Sequence, residues 1–388
     1  LQGNGAYYDA LVSYLCYGDP PNPKVTSGLY GPIFDKISGL PNLEFLSLSG
    51  NLFNGTIPSM LPPKLEALDL HDNFFYGTIP ASLGSAPTLA YLDLSNNLLQ
   101  GSIPASLSSL TALRLLDLHS NFLNATLPSS LSLLSSLTYL DISNTRGTLT
   151  IQCAPKPYSG PSAATWALNS DVSLGFQNNT NVHFSSLPED SIFATEPSPA
   201  GRTLAFGPFP GVSGSIPPSF GKLSSLRTLI LSNNALIGTI PDSIYTLTNL
   251  TRLKLGGNAL SGFAFPSALA ALTKLTELPP SPNYLEGSIS ATALSALTKL
   301  EVLSAYSLEL EGEIPDALLS LTSRTSLDLH DNFLSEKLPG DWSALSRLSF
   351  LDLSQNKLKE SLPMLPPSLQ FLFLEQNQFS GGIPSWST

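Results

Sequence analysis

One short pattern, written over and over, governs what this chain can become. Leu89 to Pro104 reads LAYLDLSNNLLQGSIP and Leu113 to Pro128 reads LRLLDLHSNFLNATLP, two versions of L-x-x-L-x-L-x-x-N-x-L-x-G-x-I-P. The asparagine column recurs at Asn51, Asn73, Asn97, Asn121, Asn234, Asn258, Asn283, Asn332, Asn356 and Asn377. Ser27, Thr145, Pro210 and Leu308 hold the same phase, which predicts about 14 repeats, most of them 24 residues apart. A unit this short cannot bury its own apolar side, so successive units must stack and share one core.

Such a pattern is that of a leucine-rich-repeat solenoid, an α/β-type superhelix with a concave parallel β-sheet and short turns or 3-10 segments on the convex side. In Leu65 to Asn73, the side chains of Leu65, Leu68 and Leu70 are expected inside, while Ala67, Asp69 and His71 face out along the strand. The asparagine should turn inward and satisfy backbone groups of the loops above and below it. After G-x-I-P, a segment such as Ala105 to Leu110 is expected to form a short turn in place of a helix, because proline fixes φ and removes a donor. The G-x-I-P form resembles the plant-type subclass of these repeats, seen in extracellular domains of plant receptor kinases, receptor-like proteins and polygalacturonase-inhibiting proteins. That resemblance covers most of the chain and implies extracellular recognition of a ligand without catalysis.

The pattern breaks between Thr145 and Pro210, where 65 residues stand in place of 24. This predicts an inserted island at 150–204, with a cap-like segment at 1–24 and solenoid parts at 25–149 and 205–388. The island is aromatic, with Trp166, Phe176 and His183, and is expected to fold against the concave side. It resembles the islands of the brassinosteroid and phytosulfokine receptors, which implies a part in ligand binding. A second break is LTELPPSPNYLEG, where Pro279 and Pro280 should bend or end a strand. At the ends, Ala6 to Cys16 reads as a capping helix without its partner cysteine, the first residue is Leu1 rather than Met, and the chain stops directly after a repeat. The expectation is a processed or excised segment, with an edge open to pairing.

Charge narrows the function. With 18 Lys+Arg against 29 Asp+Glu, the net charge of −11 excludes a nucleic-acid or anionic-membrane binder. Two cysteines, Cys16 and Cys153, exclude a disulfide-dense scaffold and a four-thiolate zinc site. No apolar run approaches the roughly 18 residues of a membrane span. The outward positions repeat as Asp69 with His71, Asp93 with Ser95, Asp117 with His119, Asp141 with Ser143, Asp328 with His330 and Asp352 with Ser354. His71 and His119 lie two strands apart, about 10 Å, too far to share one ion. No metal and no cofactor is therefore expected, and without a nucleophile, base and orienter set apart from the ladder, no enzyme.

Only 12% of the residues are charged, so something else must hydrate the surface. Four N-x-S/T sequons, at Asn54, Asn124, Asn178 and Asn249, predict N-linked glycans and a secreted, cell-surface or cell-wall protein. The candidate ligand-binding residues are Tyr91, Asp93, Tyr139, Asp141, Trp166, Phe176, His183, Phe206, Phe209, Arg252 and Lys254. Arg252 and Lys254 are rare cations on the strand positions and are expected either to receive an acidic ligand group or to stand as a solvated charge couple. The leading reading is recognition of a peptide, small molecule, glycan or protein on the concave face and island. The alternative is a glycosylated structural protein that polymerises end to end, through Tyr7, Tyr8, Phe371, Phe373, Phe379 and Trp386.

Overall fold

The computed structural model describes residues 39–144 and 211–382, together with Ile37, Pro384 and the strand backbones Tyr30–Gly31, Leu149–Cys153, Ile192–Ala194 and Arg202–Phe206. Each repeat places one short strand in a single parallel sheet. The strands are β1 (Phe45–Ser47), β2 (Ala67–Asp69), β3 (Tyr91–Asp93), β4 (Leu115–Asp117), β5 (Tyr139–Asp141) and β6 (Thr228–Ile230). They continue as β7 (Arg252–Lys254), β8 (Glu277–Leu278), β9 (Val302–Ser304), β10 (Ser326–Asp328), β11 (Phe350–Asp352) and β12 (Phe371–Phe373). All 12 pair in chain order. Register is in phase, with Leu68 beside Leu92 and Asp69 beside Asp93.

The core is a set of leucine columns. Leu65, Leu68 and Leu70 are fully buried, while Ala67, Asp69 and His71 keep solvent contact, as the period-two alternation requires. Leu94 is likewise fully buried, so Leu94→Ala should cost about 2–5 kcal/mol through lost contacts and a cavity. Urea unfolding checks this, and an unchanged midpoint would refute the inward assignment.

The asparagines supply the second force. Asn121 Nδ2 donates to the carbonyls of Leu94 (2.9 Å), Leu118 (3.1 Å) and His119 (3.3 Å), and its Oδ1 accepts from Leu99 N–H at 3.1 Å. One side chain thus ties its own turn to the preceding repeat, and the same set recurs at Asn97 and Asn356.

Leaving the sheet, the chain passes a glycine and a proline. Gly101 sits at φ 78°, and a Cβ there would stand 3.2 Å from Thr78 Cγ2. Pro104 at φ −64° then opens the 3-10 turn Ala105–Ser109, as the missing donor predicts. Short strands between sheet and turn form flanking parallel ladders, such as Phe74–Thr78 against Leu98–Gly101. In one repeat the turn lengthens to an α-helix, α1 (Ala291–Ala296), capped by Ser290 Oγ accepting from Ala293 N–H at 3.2 Å.

The interruption differs from its sequence expectation. Strand β5 pairs directly with β6, Tyr139 beside Thr228 and Asp141 beside Ile230. The stretch between β5 and β6 therefore counts as one interrupted repeat and not two, with Asn144 and Gly211 the described residues on either side of it. Val212 N–H donates to Asn234 Oδ1 at 2.9 Å, the place Leu99 takes under Asn121, so the repeat resumes in phase beyond the insertion. Phe206 was expected on the concave face, and the strand that carries it is Arg202–Phe206. That strand instead lies between Leu149–Cys153 and Ile192–Ala194 in an antiparallel sheet, with Leu149 beside Phe206. Both edges of an insertion must return to one point, and antiparallel pairing near its mouth achieves that. Phe206 is accordingly not a residue of the concave face.

The proline run shortens β8 to Glu277–Leu278 without breaking the ladder, since Glu277 pairs with both Arg252 and Val302. Leu308, in the asparagine column, is buried and offers no amide to the turn. Arg324 is the anomaly of the core. It occupies the leucine column between Leu300 and Leu348, is fully buried, and none of its three guanidinium nitrogens has a hydrogen-bond partner among the described residues. Burial without a counter-charge pulls its pKa down to about 9.

Candidate functional site on the concave sheet

The outward side chains of β2 to β5 form registered rows. Asp69, Asp93, Asp117 and Asp141 stand side by side across four strands, one per strand. Asp93, Asp117 and Asp141 are recessed, only 6–8% exposed. What each carboxylate touches alternates with strand parity. On β2 and β4, Oδ1 of Asp69 and Asp117 meets Nδ1 of His71 and His119 at 2.6 Å. On β3 and β5, Oδ1 of Asp93 and Asp141 accepts from the N–H and hydroxyl of Ser95 and Ser143, the hydroxyl bonds being 2.6 Å.

Tyrosines complete the odd strands. Tyr91 Oη donates to Asp93 Oδ2 at 3.4 Å and Tyr139 Oη to Asp141 Oδ2 at 3.3 Å. Burial raises the carboxyl pKa of Asp93 and Asp141; the serine bonds oppose this and the charge of Asp117 adds to it. Burial and the charges of Asp93 and Asp69 push Tyr91 up to about 12. Tyr139 moves the same way, through burial and then Asp117 and Asp141. For His71, burial alone would lower the pKa, but the hydrogen bond and charge of Asp69, with Asp93 and Asp72, raise it. His119 is raised against its burial by Asp117, Asp141 and Asp93.

Three Asp–His–Asp groups bring possible metal ligands within 4.8 Å of one another: Asp69, His71, Asp93; Asp117, His119, Asp141; and Asp328, His330, Asp352. Sequence reasoning considered only an ion shared by His71 and His119 and missed this grouping with the next strand's carboxylate. Each imidazole sits 2.6–2.7 Å from its own aspartate. Two ligands of one tetrahedral ion with bonds near 2.0 Å lie about 3.3 Å apart, so these are hydrogen bonds. Tyr306 stacks on His330 with ring centroids 4.7 Å apart.

The remaining candidates separate. Arg252 Nε lies 3.0 Å and Lys254 Nζ 2.7 Å from the two carboxylate oxygens of Glu277. The two cations thus already hold an acidic group from the neighbouring strand, which the sequence reading did not weigh. Burial opposes ionisation of Glu277, but Lys254 and Arg252 outweigh it and hold its pKa low. Phe371 and Phe373 are 54% and 37% exposed and lean on Phe350 at 6.2 and 5.8 Å. Phe379, expected at an open edge, is instead partly buried against the core. Asn54 and Asn124 are exposed. Asn249 is half-buried, its Nδ2 donating to Ser224 O at 3.0 Å and its Oδ1 accepting from Lys274 Nζ at 2.7 Å. Trp166, Phe176, His183, Phe209, Tyr7, Tyr8, Trp386 and Asn178 lie outside the described residues.

Two leucine-rich-repeat family models match the chain, one at residues 63–123 and 215–260 and one at 42–63. No curated protein matches it by sequence. Among solved structures, the chain is similar to the Arabidopsis receptor kinase HAESA, solved with the peptide hormone IDA and the co-receptor SERK1. The identity is 28% and the TM-score 0.71, over 92% of this chain and 50% of that one. It is similar to the plant peptide hormone receptor RGFR1, solved with RGF2, at 30% identity and TM-score 0.63, over 92% of this chain and 55% of that one. A leucine-rich-repeat protein of Leptospira interrogans, LIC12759, gives 25% identity and TM-score 0.52, over 90% of this chain and 82% of that one. The chain spans about half the length of the two receptor structures. The repeat models, the parallel ladder closed by asparagines and G-x-I-P turns, and the solved structures together show a leucine-rich-repeat solenoid that is similar to plant receptor ectodomains.

Proposed function

We propose that this solenoid is a non-enzymatic extracellular recognition module that binds a peptide along its concave sheet. The observation that carries the reading is the registered array of tyrosine, aspartate and serine or histidine side chains facing out of β2 to β5. A surface of fixed side chains on short hydrogen-bonded strands is already organised for a ligand, which lowers the ordering cost of binding. HAESA and RGFR1 were solved with peptide ligands, which supports a peptide over a glycan or small molecule. N-linked glycans at the exposed Asn54 and Asn124 belong to this reading, since they would hydrate a surface poor in charge. Among the described residues no helix is long and apolar enough to cross a membrane.

The test is selection from a phage-displayed random peptide library. Selected peptides should bind the wild type and lose affinity when Tyr139→Ala strips an outward ring from β5. Failure to select any peptide, together with filaments in electron micrographs of the glycosylated protein, would replace this reading with end-to-end assembly.

A further inference from the structure

We propose that β3 and β5 carry a matched pair of cation-binding cups, and that the peptide taken by this face presents two basic side chains three residues apart. The inference rests on the peptide reading above and adds the chemistry of the ligand.

Tyr91, Asp93 and Ser95 on β3 are repeated as Tyr139, Asp141 and Ser143 on β5. In both sets the serine takes Oδ1 through its N–H and its hydroxyl, which fixes the carboxylate plane. Oδ2 faces a tyrosine hydroxyl at 3.3–3.4 Å, at the long limit of a hydrogen bond, and the imidazole of the preceding strand, His71 Nδ1 standing 3.8 Å from Asp93 Oδ2, beyond hydrogen-bond reach. A recessed carboxylate oxygen beside an aromatic ring suits a guanidinium or ammonium, which gains a charge-assisted bond and a ring contact. The strands between and before lack this arrangement. On β4, Leu115 stands in the tyrosine position and His119 closes on Asp117; on β2, Ala67 stands there, and His71 and Ser47 take both oxygens of Asp69.

Spacing sets the ligand. The two cups lie two strands apart, about 9.6 Å at 4.8 Å per strand. A polyproline II segment rises about 9.3 Å per three residues and returns the third residue to the same side. Two Arg or Lys at i and i+3 on such a segment therefore reach both cups at once. Beyond β6, Arg252 and Lys254 outnumber Glu277 and repel a longer basic tract, which ends the site there.

Charge on the face also predicts the pH response. His71 faces Asp69, Asp72 and Asp93, and His119 faces Asp117, Asp141 and Asp93. Both imidazoles charge at a higher pH than usual, and Asp93 and Asp141 take protons above the usual carboxyl range. Each step removes negative charge as pH falls, so affinity for a basic peptide should drop on acidification, beginning above the ordinary imidazole range as His71 and His119 charge.

The experiment repeats the library selection on the wild type and on Asp93→Asn/Asp141→Asn. Asparagine keeps the acceptor for each serine, and burial already disfavours the charge, so the variant should melt like the wild type. Expected is enrichment of Arg or Lys pairs at i and i+3, and binding about tenfold weaker or worse in the variant, the scale of a lost bond to a charged group. Peptides without basic pairs, or bound equally by both proteins, would overturn the cups and leave the peptide reading standing. No selected peptide at all would overturn both.

Discussion

Asn121→Leu is expected to destabilise the solenoid by about 2–6 kcal/mol, at about 1–3 kcal/mol for each of the two buried polar groups left unsatisfied. Leucine keeps the branched shape, with methyl groups in place of the amide oxygen and nitrogen, and removes all four hydrogen bonds. Leu99 N–H loses its acceptor at 3.1 Å, and the carbonyls of Leu118, Leu94 and His119 lose a donor at 2.9–3.3 Å. Leu94 O keeps Asn97 Nδ2 at 3.2 Å and His119 O keeps Asn96 N–H at 2.9 Å, so the heaviest loss falls on Leu99 and Leu118. Chemical unfolding followed by circular dichroism measures the effect. Because repeats couple chiefly to their neighbours, hydrogen exchange should report the loosening at residues around Leu99 before it reaches β11. A loss below about 1 kcal/mol would mean water replaces the amide.

Arg324→Leu should act in the opposite direction and raise stability by about 3–5 kcal/mol, the scale of an uncompensated buried charge. The flanking residues of its column are Leu300 and Leu348, both fully buried, so leucine restores a contact surface that the stack already provides. With its pKa near 9, the guanidinium is still charged at neutral pH in the folded state. A rise in the thermal midpoint, or a shift to higher urea, checks the claim. Destabilisation would show that the wild-type guanidinium has a partner.

Most of the frame is legible in the letters. Leucine periodicity tells which side chains of Leu65 to Leu70 are inside, and the asparagine column tells where the loops are tied, because both follow from a local pattern repeated at constant phase. Proline in G-x-I-P announces the 3-10 turn in the same way. The interruption was misread because Thr145 and Pro210 both hold phase in the sequence; only the pairing of β5 with β6 shows that no further strand of the concave sheet comes between these two. Phe206 shared that error, as its strand finds an antiparallel partner that no period encodes. On the concave face, Tyr91, Asp93, Tyr139 and Asp141 could be named from alternation alone. The role of Glu277 could not, since it reaches Arg252 and Lys254 across strands 25 and 23 residues away in sequence. Arg324 was visible as the one basic residue in a leucine column, a departure that reading for the consensus passes over.

The direct join of β5 to β6 makes the interruption a seam. The chain leaves after Asn144 and re-enters at Gly211, whose φ of 69° and 2.5 Å clearance to Asn234 Oδ1 leave no room for a side chain. The strands described between these two points, Leu149–Cys153, Ile192–Ala194 and Arg202–Phe206, pair with one another and stand outside the register of the concave sheet. Segments of other lengths or compositions can therefore be spliced in at this place, provided their ends meet one strand apart, and no leucine column on either side has to shift. Lineages carrying such a seam can acquire new surface by changing what hangs from it, while the frame that presents the surface stays under separate, unchanged constraint.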